Sequence, residues 1–133
     1  MCTNQHQLSP LQYVLAEITF PSEPKSVGRA RDWVSGVYTS RGVPTDVVEL
    51  LTSEIVTNAV IHGTGDVTVR VLGSLWVEVS DASPVIPERR VAAEDDTGGR
   101  GLELMEALAE QFEVRPAEHG KCVAFLPGRG DCA

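Results

Sequence analysis

Apolar and polar residues follow two rhythms along this chain, and the switches between them mark its elements. Tyr13 to Phe20 is apolar and β-prone enough for a strand, closed by Pro21 and Pro24. From Ser26 to Ser40 the period lengthens: Val27, Ala30, Val34, Val37 and Tyr38 recur at helical spacing, and Gly42 follows as a stop. A second helix opens at Pro44-Thr45-Asp46, where a fixed φ and an acid suit a helix N-terminus, and runs to His62 before Gly63. Strict alternation returns in Val67 to Val71 and in Leu75 to Val79, with Gly73-Ser74 between them as a tight hairpin turn. Ala82 to Thr97 is rich in Pro, Asp, Glu and Arg and reads as a loop. Gly101 then opens a third helix carrying Leu102, Leu104, Met105, Leu108 and Phe112. A last hairpin pairs Phe112–Arg115 with Lys121–Leu126, turning through Ala117 to Gly120.

This order predicts an α+β fold, a two-layer α/β sandwich. A mixed, mostly antiparallel sheet would be covered on one face by about three helices. The domain is expected over residues 12–127, with 1–11 and 128–133 as flexible termini. A length of 133 residues fits one such domain.

Charge narrows the partners. Lys and Arg total 11 against 19 Asp and Glu, a net charge of -8, so the surface repels nucleic acid and anionic lipid. No apolar run approaches the roughly 20 residues that span a bilayer, and Met1 to Pro10 is too polar for a signal peptide. Cys2, Cys122 and Cys132 form neither a disulfide framework nor a metal-ligand pattern. A cytoplasmic location is the expectation.

Within the second helix the polar residues are oddly placed. At about 100° per residue, Asp46, Glu49, Ser53 and Thr57 share one side, the natural solvent face. Glu54, Asn58 and His62 form another stripe roughly 150° away, among Val47, Leu50, Leu51 and Ile61. Polar groups on a core-facing side are costly unless satisfied. Either the helix is rotated and these are surface pairs or caps, or the stripe walls a cavity. In the second case Asn58 offers a neutral oxygen to a hard cation such as Mg²⁺, and Glu54, about one turn earlier, serves as a base. His62 at the helix end equally suits a C-cap.

Two further features stand in line. Asp81 leaves the strand ending Val77-Glu78-Val79-Ser80 and is either a turn former or an acceptor for an exocyclic amine. Thr97-Gly98-Gly99-Arg100-Gly101-Leu102 precedes the third helix, where glycines and a helix N-terminus favour an anion, although such a turn alone is a weak signal. Gly120-Lys121 lacks the glycine and hydroxyl spacing of a Walker-type phosphate loop.

Taken in order, Glu54-Ile-Val-Thr-Asn58-Ala-Val-Ile-His62-Gly63, Asp81-Ala-Ser83-Pro and Gly98-Gly99-Arg100-Gly101-Leu102 resemble the N, G1 and G2 boxes of the GHKL ATPase superfamily. The short chain and the early Val27–Arg31 helix are most similar to the anti-sigma factor serine/threonine kinases and their stand-alone bacterial relatives. The resemblance covers about Phe20 to Leu126 and implies an ATP site. In it Glu54 is the general base, Asn58 ligates Mg²⁺, and Asp81 binds the adenine amine, directly and through a water. Gly99, Gly101 and Leu102 lie against the phosphates with Arg100 near them, and His62 and Ser83 complete the nucleotide contacts. Implied partners are a small anti-sigma antagonist protein, a sigma factor, or both, and a homodimer through the first strand. The motif departs from the superfamily after Asp81, where Ser83 and Val85 stand in place of two glycines, and the loop from Ile86 to Thr97 is short. Those departures keep a second reading open, a nucleotide-holding module that regulates by association without catalysis.

Overall fold

A computed structural model describes residues 13–62, 65–82, 101–117 and 120–128, with Gly101 and Leu102 described by their backbone alone. Among these residues five strands and three helices follow in the order β1 (Val14–Phe20), α1 (Lys25–Ser40), α2 (Asp46–His62), β2 (Val67–Leu72), β3 (Val77–Asp81), α3 (Gly101–Leu108), β4 (Ala109–Ala117) and β5 (Gly120–Pro127). The sheet order is β1-β2-β3-β5-β4, and every pairing is antiparallel. This is the expected α+β two-layer architecture; the sheet is wholly antiparallel where a mixed one was expected.

The alternation of each strand decides its two faces. Val67, Val69, Val71, Val77, Val79, Val123 and Phe125 point to the helical layer and are buried with Ala30, Val34 and Tyr38 of α1, with Val48, Leu51, Ile55, Val56 and Ala59 of α2, and with Met105 of α3. The intervening residues carry a ladder of charge on the opposite face. Arg70 donates to Glu17 at 2.7 Å across β1–β2, and Arg115 donates to Glu78 at 3.1 Å and to Glu113 at 2.6 Å. Arg70 and Glu78 are themselves buried, which their pairing makes tolerable.

The element ends differ from the sequence expectation in two places. First, the third helix stops at Leu108, and β4 begins at the next residue instead of at Phe112. Gly128 donates its N–H to Leu108 O at 2.9 Å, and Ala109 pairs with Pro127, so the end of β5 captures the chain before another helical turn forms. Gly128, expected in the flexible tail, is therefore tied in. Second, Gly73-Ser74 is not a two-residue turn. Leu75 N–H reaches back to Leu72 O at 2.8 Å, and Leu75 adopts φ 70°, so the connection extends to Trp76 and β3 starts at Val77.

Leucine in that left-handed region carries a cost of order 1–3 kcal/mol, and the surroundings hold it there. The Tyr38 hydroxyl, at the end of α1, donates to Leu75 O. Gly42 ends that helix at φ 71°, with its N–H on Thr39 O, as the sequence anticipates. Burial pushes the Tyr38 phenol well above the usual tyrosine range. Because the folded-state value is raised, its contribution is complete below the unfolded value near 10 and fades as pH climbs beyond it. Tyr38→Phe is expected to cost about 1–2 kcal/mol at neutral pH by orphaning the carbonyl, and to flatten the loss of stability above about pH 10. Urea unfolding curves across pH check both.

Candidate functional site

Three chain segments meet where β3 leaves the sheet. Gly65, just past α2, lies against Ala82, so close that a Cβ added to it would sit 3.3 Å from the Ala82 side chain. Gly120, opening β5, approaches still nearer, and its Cβ would fall 1.9 Å from Asp81 O. The entry to β2, the exit of β3 and the start of β5 thus meet at one end of the sheet.

Asp81 shares its strand parity with Val77 and Val79, which aims it toward the helical layer and not outward as a turn former. Its cross-strand partner is Lys121, on the same parity as Val123 and Phe125. Lys121 Nζ lies 3.0 Å from Asp81 Oδ2 and 3.2 Å from Oδ1, and each side chain is only 2% exposed. Sequence reasoning missed this pair. Lys121 was legible only as one half of a failed phosphate-loop pattern, although its alternation with Val123 and Phe125 already placed it on the inner face.

On α2 the stripe of Glu54, Asn58 and His62 lies along the flank of the buried face, not at its centre. Asn58 is buried, Glu54 is half-buried and His62 is exposed at the helix end. The centre of that face belongs to Leu51, Thr52, Ile55 and Ala59. Leu50 and Ile61, expected beside the stripe in the core, are exposed at 44% and 60%. The expected solvent face is corrected too. Glu49 is half-buried and accepts a hydrogen bond from Ser35 of α1 at 2.7 Å, while Ser53 and Thr57 hydroxyls turn back onto backbone carbonyls one turn earlier.

Of the remaining sequence candidates, Gly101 and Leu102 open α3, which packs against α2. Ser83, Gly99 and Arg100 lie outside the described residues, as do Val85 and the loop from Ile86 to Thr97. Among the described residues no three His, Cys, Asp or Glu side chains gather as a metal cage. A lone amide such as Asn58 fits a Mg²⁺ whose other ligands are water and phosphate oxygens, the usual habit of that ion.

A cavity of about 350 Å³ is lined by Tyr38, Val43, Leu75, Leu126 and Pro127 among others, and includes none of the sequence candidates. The odd cysteine count gives no sign of a bridge, yet Cys122 is buried and disulfide-bonded; spacing along a chain does not report separation in space. No helix among the described residues is long and apolar enough to cross a membrane.

The fold agrees with what the sequence shares with other proteins. A family model for the histidine kinase-like ATPase domain matches residues 20–126. No curated protein matches the chain.

Proposed function

The chain belongs to the histidine kinase-like ATPase domain family, and on that premise we propose that it is an ATP- and Mg²⁺-dependent protein serine/threonine kinase of the anti-sigma type. The observation that carries this reading is the α2 flank, where half-buried Glu54 stands one turn before buried Asn58. A domain that only held nucleotide would have no use for a carboxylate beside the cation ligand. Asn58 would hold Mg²⁺ through its amide oxygen, and Asp81 would accept from the adenine amine. Gly99, Gly101, Leu102 and Arg100 would face the phosphates, with His62 and Ser83 at the margins. Glu54 would take the proton from a serine or threonine hydroxyl as that oxygen attacks the γ-phosphorus and ADP leaves. Positioning and charge neutralisation carry most of the barrier lowering in such transfers. The substrate would be a small anti-sigma antagonist protein, bound in one state of a cytoplasmic partner-switching circuit, with a sigma factor or similar regulator bound in another. Homodimerisation through β1, an edge strand of the sheet, belongs to the same proposal.

A second reading is favoured by the sequence after Asp81, where Ser83 and Val85 stand in place of two glycines and the loop is short. In that case the domain would keep nucleotide without turning it over and would act by association.

Incubation with labelled ATP and candidate antagonist proteins separates the two. Phosphate is expected on the antagonist, and Glu54→Ala is expected to slow transfer by about 10²–10⁴-fold while ATP binding persists. Unchanged transfer in that variant rules Glu54 out as the base. Binding of ATP with no transfer to any candidate favours the association module.

A further inference from the structure

We propose that Lys121 reads the nucleotide base beside Asp81, donating a hydrogen bond to the ring nitrogen next to the exocyclic amine. The inference rests on the reading of Asp81 as the amine acceptor and adds a residue that neither motif nor family match assigns.

The observation behind it is an ammonium with more donors than acceptors. Lys121 Nζ carries three N–H groups, and among the described residues the only side chain it donates to is Asp81, at 3.0 and 3.2 Å. Both side chains are 2% exposed, so water does little to satisfy what Asp81 leaves over. A buried N–H without an acceptor is costly, and a ligand atom that supplies one is favoured by the same amount.

The pair also has the right polarity. A carboxylate beside an ammonium sets an acceptor next to a donor, both facing the helical layer on neighbouring strands. The edge of adenine is the complement, an amine donor next to the N1 acceptor. With Asp81 alone, N1 would depend on a bridging water for its donor; Lys121 sets a charged donor beside that edge. Its position does not depend on a wandering stem. Gly120 presses its backbone onto Asp81 O and Ala82, which fixes the start of β5 against the exit of β3 and holds the ammonium in register with the carboxylate.

Calorimetric titration of the full chain with Mg·ATP and with Mg·1-deaza-ATP, in which N1 is replaced by C–H, tests the assignment. The analogue is expected to bind about tenfold more weakly, the size of a hydrogen bond from a charged donor. Lys121→Met is expected to bind the two nucleotides alike, and Lys121→Arg, which keeps a charged donor, to retain the preference for ATP. The unaltered chain needs no tolerance of mutation, so its two affinities decide the question even where a variant folds poorly. Equal binding of ATP and 1-deaza-ATP by the unaltered chain overturns the role of Lys121 and leaves the nucleotide site standing. Retention of the preference by Lys121→Met also overturns it. Failure to bind either nucleotide overturns the reading of the site itself.

Discussion

Asp81→Ala is expected to lower folding stability by about 3–5 kcal/mol at neutral pH, one of the two largest stability effects anticipated in this chain. The reason is the stranded partner. Lys121 Nζ sits 3.0 Å from the carboxylate with both side chains almost wholly removed from water. Removing the acid leaves a buried ammonium with no countercharge from Asp81, and desolvation of an unpaired ion outweighs any local relaxation. The companion experiment separates charge from packing. Lys121→Met in the Asp81→Ala background is expected to recover most of the loss, because no charge is left unpaired. Denaturant midpoints for both single variants and the double variant give the coupling. A loss under about 0.5 kcal/mol for Asp81→Ala would mean that water reaches the pair, since exposed pairs contribute that little.

The second expectation concerns backbone, not charge. Gly120→Ala is expected to cost about 3 kcal/mol, at the upper end of overpacking effects. An added Cβ would lie 1.9 Å from Asp81 O, 2.7 Å from Ala82 Cα and 2.9 Å from Ala82 C, and none of these atoms belongs to a side chain that can swing away. Relief requires β3 and β5 to part at the site. Gly36→Ala is the internal control. It lies within α1, where a Cβ meets nothing within 4 Å, and the change is expected to stabilise by about 0.5–1 kcal/mol through helix propensity. Thermal melts of both variants check the contrast, and equal effects would show that the close approach at Gly120 is not rigid.

Much of the fold was legible because each element carries its own period. The Val67–Val71 alternation and the Ala30, Val34, Tyr38 spacing state strand and helix without help from the rest of the chain. The boundary at Leu108 was not legible. Residues Ala109 to Gln111 have no strong preference of their own, and their state is decided by β5, a partner distant in sequence. The same division applies to the site. Glu54 and Asn58 stood out as polar residues in an apolar setting and Asp81 through the motif it resembles, while Lys121 became meaningful only once β3–β5 register set it opposite Asp81. The exposure of Leu50 and Ile61 was hidden for a related reason. Periodicity gives the angle between residues on α2, but the rotation of that helix is set by the layers packed against it.

The abrupt passage from α3 into β4 carries a mechanical corollary. A helix joined to a strand through several loose residues can slide or tilt independently of the sheet. Here Leu108 is helical, Ala109 is already laddered to Pro127, and Gly128 clasps the final helical carbonyl. One end of α3 is thus tied to the β4–β5 edge. Adjustment at Gly101, about 10 Å up the axis, is then expected to pivot about that end, where the helix joins the outermost strand of the sheet.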